Sequence, residues 1–105
     1  MYIATWNVNS IRARTERAVA WLRRQRPDVV CLQEIKCTDA QFPVEVFRRE
    51  GYHVATHGQQ RYNGVALLSR LPIQDVARGF DGAGREDEQA RLIAGTIGGV
   101  RVINV

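Results

Sequence analysis

Two cysteines, Cys31 and Cys37, are all that the 105-residue chain contains. They are too few and too oddly spaced for a disulfide framework or a zinc site. Both are read as inert thiols, Cys31 in the core, because free cysteine behaves mostly as a small hydrophobe. Long apolar runs are missing as well. No stretch of 18 apolar residues occurs, so no membrane-spanning helix is expected and a membrane is not a partner. The first six residues lack the basic start and apolar stretch of a signal peptide, which makes the cytoplasm the expected location. There is no internal repeat and no low-complexity tract. Lysine is nearly absent, since 14 of the 15 basic residues are arginine. The guanidinium fork matches phosphate oxygens, and a net charge of +4 suits a polyanion. Genome composition explains most of that bias equally well, so composition alone selects no partner.

Apolar residues make up 45% and charged residues 25% of the chain, the balance of a soluble globular protein. Its length predicts one domain with a modest core. Residues 2–7 are rich in β-formers and read as a strand. Asn9 and Ser10 then offer helix N-caps. Ile11, Ala18, Trp21 and Leu22 draw one helical stripe, with Arg12, Arg14, Glu16, Arg17, Arg23 and Arg24 on the wet face. Pro27 biases Arg26 away from the helical region and stops the helix. Residues 29–33 follow as a strand buried on both faces. A helix of roughly 15 residues spans about 22 Å, close to the roughly 20 Å of a six-residue strand. Residues 2–34 therefore read as a β-α-β unit with parallel strands.

Beyond Lys36 the sequence predicts a short helix within 39–50, beginning near Pro43 because proline is welcome in a first turn. Strands are expected over 52–56 and 64–69. Residues 73–78 are expected to pair with the latter after the Leu71-Pro72 turn. His53 and His57 have the spacing of a helical metal pair but fall on strand and loop, so they are read as ordinary. Residues 79–89 are Gly-rich and acidic, a surface loop. Residues 92–97 and 100–105 read as a hairpin across Gly98-Gly99. One β-α-β unit followed mostly by strands predicts an α+β fold with a mixed sheet.

The crossover geometry brings chemistry together. Two parallel strands of one β-α-β unit end on the same sheet edge, the first at Asn7 and the second at Glu34. If adjacent, the strands lie about 4.8 Å apart, and ligands in such sheets bind at the carboxyl ends of strands. Glu34 and the Asn7 carbonyl are hard oxygen donors. Mg²⁺ takes one or two carboxylates and keeps waters that a phosphate can displace. Such an ion would neutralise phosphate charge and activate water, with Lys36 and Arg12 placed to hold a phosphate. Spacing alone leaves this open, since polar residues end many strands without further purpose.

Four stretches carry a resemblance: "TWNVNSIRAR", "LQEIK", "YNGVALLSR" and "QARLI". In order and from residue 1, they resemble the exonuclease III branch of the endonuclease/exonuclease/phosphatase superfamily. That resemblance implies a Mg²⁺-dependent enzyme, with Mn²⁺ as an alternative ion, that hydrolyses phosphodiesters in double-stranded DNA at abasic sites and 3′ ends. It implies half of a four-layer α/β/β/α sandwich with a mixed β-sheet, residues 1–105 forming the N-terminal portion of the domain. Glu34 matches the metal-binding glutamate and Asn7 the active-site asparagine. Lys36 matches a lysine near that glutamate, and Gln33 and Arg91 match supporting hydrogen-bonding positions. Arg12 lies in the DNA-contacting loop, and Tyr62, Asn63 and Gly64 match a turn that touches the DNA backbone. Trp6 and Trp21 are read as core.

Two departures accompany it. Some relatives carry an acidic ligand where this chain has Asn9. The family also continues past "VRVINV" with a tyrosine-proline-asparagine segment, an aspartate-x-asparagine motif and a late aspartate-histidine pair, none of which is in this sequence. The chain alone is therefore expected to be inactive and to self-associate through an exposed sheet face. Two other readings stay open: a non-catalytic nucleic-acid-binding or non-functional fragment, and a phosphodiesterase for another phosphate ester.

Overall fold

Helix α1, Ile11–Gln25, begins where Ser10 leaves the helical region and its Oγ accepts from the Ala13 N–H at 3.4 Å. It ends at Arg26, whose left-handed backbone (φ 47°) lets its N–H close on the Leu22 carbonyl at 2.8 Å before Pro27. Its inward stripe is Ile11, Ala18 and Leu22. The strands on either side, β1 (Ile3–Asn7) and β2 (Val29–Gln33), pair in parallel, with Asn7 opposite Gln33. The crossover unit is formed as its apolar period and caps require.

The computed structural model describes residues 1–79 and 89–105. After β2 come a single 3₁₀ turn at Asp39–Gln41 and the short helix α2, Val44–Arg49. Strands β3 (His53–His57) and β4 (Val65–Ser69) complete a four-stranded mixed sheet in the order β1-β2-β4-β3. A second, antiparallel sheet holds β5 (Gln74–Arg78), β6 (Ile93–Ile97) and β7 (Val100–Asn104) in that order. The β6–β7 turn is Gly98-Gly99, at φ 56° and 78°, the doubly left-handed hairpin turn that glycine adopts without penalty.

Two cores sit on opposite faces of the first sheet. Ile11, Leu22, Val30, Leu32, Ile35, Phe47 and Leu68 form the one under the helices. Val29, Val65, Leu67, Ile93, Ile97 and Val102 form the one between the sheets. Each fully buried side chain of this size contributes about 1.5–3 kcal/mol. The layer order is thus α/β/β, within the expected α/β/β/α half-sandwich. Among the described residues no helix covers the outer face of the second sheet, where Ile103 is 61% exposed. Trp6 and Trp21 pack on the helix-side core, half-buried, with ring centroids 5.7 Å apart.

One expectation is corrected. Residues 74–78 pair with β6, not with β4. Strand β4 has β2 on one edge and β3 on the other, so neither edge has a ladder to offer. The Leu71-Pro72 turn instead carries the chain across to the second sheet, where β5 enters irregularly, with Asp75 at φ 49°. Most of the acidic loop expected over 79–89, residues 80–88, lies outside the described residues.

Candidate active site at the strand ends

The parallel register sets Asn7 beside Gln33, so Glu34 emerges next to Asn7 at one rim of the sheet. The Asn7 side chain donates through Nδ2 to Glu34 Oε2, and its Oδ1 accepts from the Asn9 N–H at 3.2 Å. Lys36 Nζ donates to Asn9 Oδ1. Two amides, one carboxylate and one ammonium therefore form a continuous chain of contacts across the ends of β1 and β2.

The backbone beneath them is strained and held on both sides. Glu34 (φ 52°) and Lys36 (φ 56°) are left-handed, as are Asn9, Ser10, Arg61, Asn63 and Gly64. Such a residue costs about 1–2 kcal/mol when it carries a Cβ and persists where its surroundings over-determine it. Here they do. From one side, the Ser10 N–H donates to the Glu34 carbonyl at 2.9 Å and the Ile11 N–H to the Ile35 carbonyl at 3.1 Å. From the other, the Ile35 N–H donates to the Gly64 carbonyl at 3.1 Å and the Lys36 N–H to the Asn63 carbonyl at 2.9 Å. Ile35, fully buried between them, pins the segment into the helix-side core. Glu34 and Lys36 flank that anchor.

The other residues singled out in the sequence fall around this rim. Gln33, Glu34, Asn63, Gly64 and Arg91 line one shallow cavity of about 180 Å³. Arg12 is exposed in the first turn of α1, and Tyr62 is 67% exposed on the loop before Asn63. Arg12 follows Ile11, whose N–H donates to the Ile35 carbonyl, and Tyr62 precedes Asn63, whose carbonyl accepts from the Lys36 N–H. Gln59 supports the turn, its Oε1 accepting from Asn63 Nδ2 at 3.3 Å and from the Ala90 N–H at 2.9 Å.

Neither cysteine joins the site's chemistry. Burial pushes the thiols of Cys31 and Cys37 up. For Cys37 the nearby Arg12 guanidinium works against that rise and Asp39 adds to it. His53 and His57 sit at opposite ends of β3, about 13 Å apart at strand rise, too far to share an ion. Among the described residues no three of His, Cys, Asp and Glu come together.

Sequence reasoning passed over Asn104. It is 2% exposed between the sheets, and its Nδ2 donates to the carbonyls of Leu32 and Ala66, both at 2.9 Å. Its Oδ1 accepts from Gln33 Nε2 at 2.7 Å, and that Nε2 also reaches Thr5 Oγ1 at 2.8 Å. The signal was available: in "VRVINV" the asparagine shares an inward face with Val102, where an apolar residue belongs.

Residues 4–104 match the endonuclease/exonuclease/phosphatase family. The chain is similar to exodeoxyribonuclease III of Haemophilus influenzae, with 42% identity over 93 residues, covering 89% of this chain and 34% of that protein. It superposes on an AP endonuclease from Archaeoglobus fulgidus with a TM-score of 0.92 and 44% identity, covering 98% of this chain and 39% of that one. It also superposes on a 3′ phosphatase from Neisseria bound to a product DNA hairpin. There the TM-score is 0.95 at 45% identity, over 100% of this chain and 40% of that one. The chain thus spans about a third of the curated relative's length and about two fifths of the solved ones.

Proposed function

The chain belongs to the endonuclease/exonuclease/phosphatase family, and on that premise we propose that it forms the N-terminal part of a divalent-metal-dependent DNA repair nuclease. The reaction is hydrolysis of DNA phosphodiesters at abasic sites and 3′ ends. The observation that carries this reading is the Asn7–Glu34 contact at the ends of adjacent parallel strands, beside Lys36 and backed by the 62–64 turn. Its similarity to an exodeoxyribonuclease, an AP endonuclease and a DNA-bound 3′ phosphatase supports DNA over other phosphate esters.

The donor set tests which ion would suit the site. One carboxylate and nearby amide oxygens are hard donors, with no thiolate or imidazole among them. This fits Mg²⁺ or Mn²⁺, which leave most of their shell to water and phosphate oxygens. Glu34 would hold the ion. Asn7 holds the carboxylate in turn, and its own oxygen accepts from the Asn9 N–H through one lone pair, leaving the other to offer the ion. When bound, the ion supplies charge neutralisation at the phosphate and a more acidic water.

The chain's own residues do the positioning. Lys36 is steadied by Asn9 and offers a cation on the same strand-end segment as Glu34. Arg12, Tyr62 and Asn63 form a flanking surface for the DNA backbone, and Gln33 and Arg91 support it from the cavity. Among the described residues Glu34 is not part of any cluster of three acidic, histidine or cysteine side chains that could share the metal and proton-transfer work. A positioned acid–base group is typically worth 10²–10⁴-fold, so the 105-residue chain by itself is inactive in this reading. The experiment is cleavage of an abasic duplex with Mg²⁺, comparing this chain with a family-length protein that contains it. Turnover that stops with a chelator is expected from the longer protein only. Turnover by the pure 105-residue chain overturns the inactivity, and hydrolysis of RNA or phospholipid in place of DNA overturns the substrate.

Arg12 has its own expected outcome. As an exposed phosphate contact, Arg12→Ala weakens DNA binding uniformly across sequences and lowers the salt slope of binding by about 1. Titrations at several salt concentrations read that slope, and an unchanged one removes Arg12 from the contact surface.

A further inference from the structure

We infer that Asn104 is a positioning residue for Glu34, coupling the docking of the second sheet to the geometry of the strand-end site. This rests on the reading of Glu34 as the metal carboxylate. An asparagine 2% exposed between two sheets is costly unless its amide is fully paired, and here it is. Only an amino group can face two carbonyl oxygens, so the contacts to Leu32 and Ala66 fix the amide's orientation. Asn104 Oδ1 must then face Gln33, which fixes that side chain as well.

The location of these bonds gives the inference its content. Leu32 and Ala66 are opposite one another in the β2–β4 ladder. Gln33 immediately precedes Glu34, and Gln33 Nε2 also holds Thr5 Oγ1 at 2.8 Å, two residues before Asn7. Ala66 lies two residues after Gly64. Each arm of the rim is therefore one or two residues from a bond of this network. The side chains packed around it are apolar, Ile93, Ile97 and Val102 against Val29, Val65 and Leu67. The other directional ties lie at the sheet margins, where the Gly64 N–H donates to the Ala90 carbonyl at 2.8 Å and Arg78 Nε to the Thr56 carbonyl at 2.7 Å. Apolar contact is non-directional and tolerates sliding of one sheet on the other. Two hydrogen bonds to fixed carbonyls do not. Through them β7 sets where β2 ends, and so where the carboxylate stands.

The test uses the full chain with three variants: Asn104→Leu, Gln33→Met and, as a control on the same strand, Val102→Ala. Val102 belongs to the inter-sheet core and not to the amide network. The first readout is the side-chain amide resonance of Asn7, whose Nδ2 donates to Glu34. It is expected to lose its carboxylate-bonded shift in Asn104→Leu and Gln33→Met and to keep it in Val102→Ala, even where the control lowers the thermal midpoint as much. The second readout is Mn²⁺ affinity, expected to fall about 10- to 100-fold in the two network variants only. If Asn104→Leu does not fold, Gln33→Met carries the test, because Gln33 is half-exposed. An Asn7 amide unmoved by the network variants, or moved equally by Val102→Ala, overturns the inference. Absence of Mn²⁺ binding in the unaltered protein overturns the metal reading instead, while the amide resonance still decides the positioning.

Discussion

Glu34→Gln is expected to remove metal-dependent DNA cleavage from a family-length protein containing this chain while leaving its fold intact. The substitution keeps the shape of the side chain and an oxygen to accept from Asn7 Nδ2. What disappears is the negative charge. Among the described residues Glu34 belongs to no cluster of three acidic, histidine or cysteine side chains that could hold the ion in its place. A neutral amide in its place leaves a divalent ion with weak dipolar ligands, against Mg²⁺'s need for at least one carboxylate. Loss of a single well-placed electrostatic group in a hydrolytic site commonly costs about 10²–10³-fold in turnover, and loss of the charged ligand belongs at or beyond that range. The stability change is small. A charge-assisted hydrogen bond becomes a neutral one, a difference of about 1 kcal/mol, and the left-handed backbone at Glu34 is held by bonds to Ser10 and Asn63–Gly64 neighbours that the side chain does not make. Circular dichroism and a thermal melt check the fold, and a Mg²⁺ titration of cleavage checks the site. Turnover that keeps its Mg²⁺ dependence in the variant would remove Glu34 from the centre of the reaction.

The same two residues show how far sequence carries. Asn7 and Glu34 could be placed on one sheet edge beforehand because parallel strands of one crossover unit end at the same edge, while the adjacency of β1 and β2 comes from the structure. The helix between them announced its length through Ser10, the Ile11–Ala18–Leu22 stripe and Pro27. The α+β class and the Gly98-Gly99 hairpin followed from the same kind of local rule. Sheet partnership for β5 did not. Leu71-Pro72 marks a turn, but whether the chain then pairs with β4 or joins a second sheet depends on which edges are free, a tertiary question. The left-handed conformations of Glu34 and Lys36 were equally hidden, since neither residue type favours φ above zero and tertiary hydrogen bonds impose it. Asn104 was hidden for a different reason. Strand alternation records that a position faces inward, and only the facing sheet reveals which carbonyls need a donor there.

Gly64→Ala is expected to destabilise the protein by about 2–5 kcal/mol and to disable the rim with it. Two costs add. Gly64 sits at φ 89°, where a residue with a Cβ is strained by about 1–2 kcal/mol. The added carbon would also stand 2.5 Å from Ile35 Cγ1 and 3.3 Å from Cδ1. Ile35 is fully buried and β-branched, stiff at the very bond that would have to turn, so relief requires moving the backbone or overpacking the core, about 1–3 kcal/mol. The backbone in question carries the site. The Gly64 carbonyl holds the Ile35 N–H and the Asn63 carbonyl holds the Lys36 N–H, so retreat of the turn releases the segment that aims Glu34 and Lys36. Gly99→Ala separates the two costs. Gly99 has φ 78° but nothing within 4 Å of the position its Cβ would take, leaving backbone strain alone. Denaturant melts should therefore show Gly64→Ala losing more stability than Gly99→Ala, and nuclease activity of the family-length protein should fall in the first and persist in the second. Equal losses in both would mean that Ile35 yields freely, and that the 62–64 turn does not hold the carboxylate segment in place.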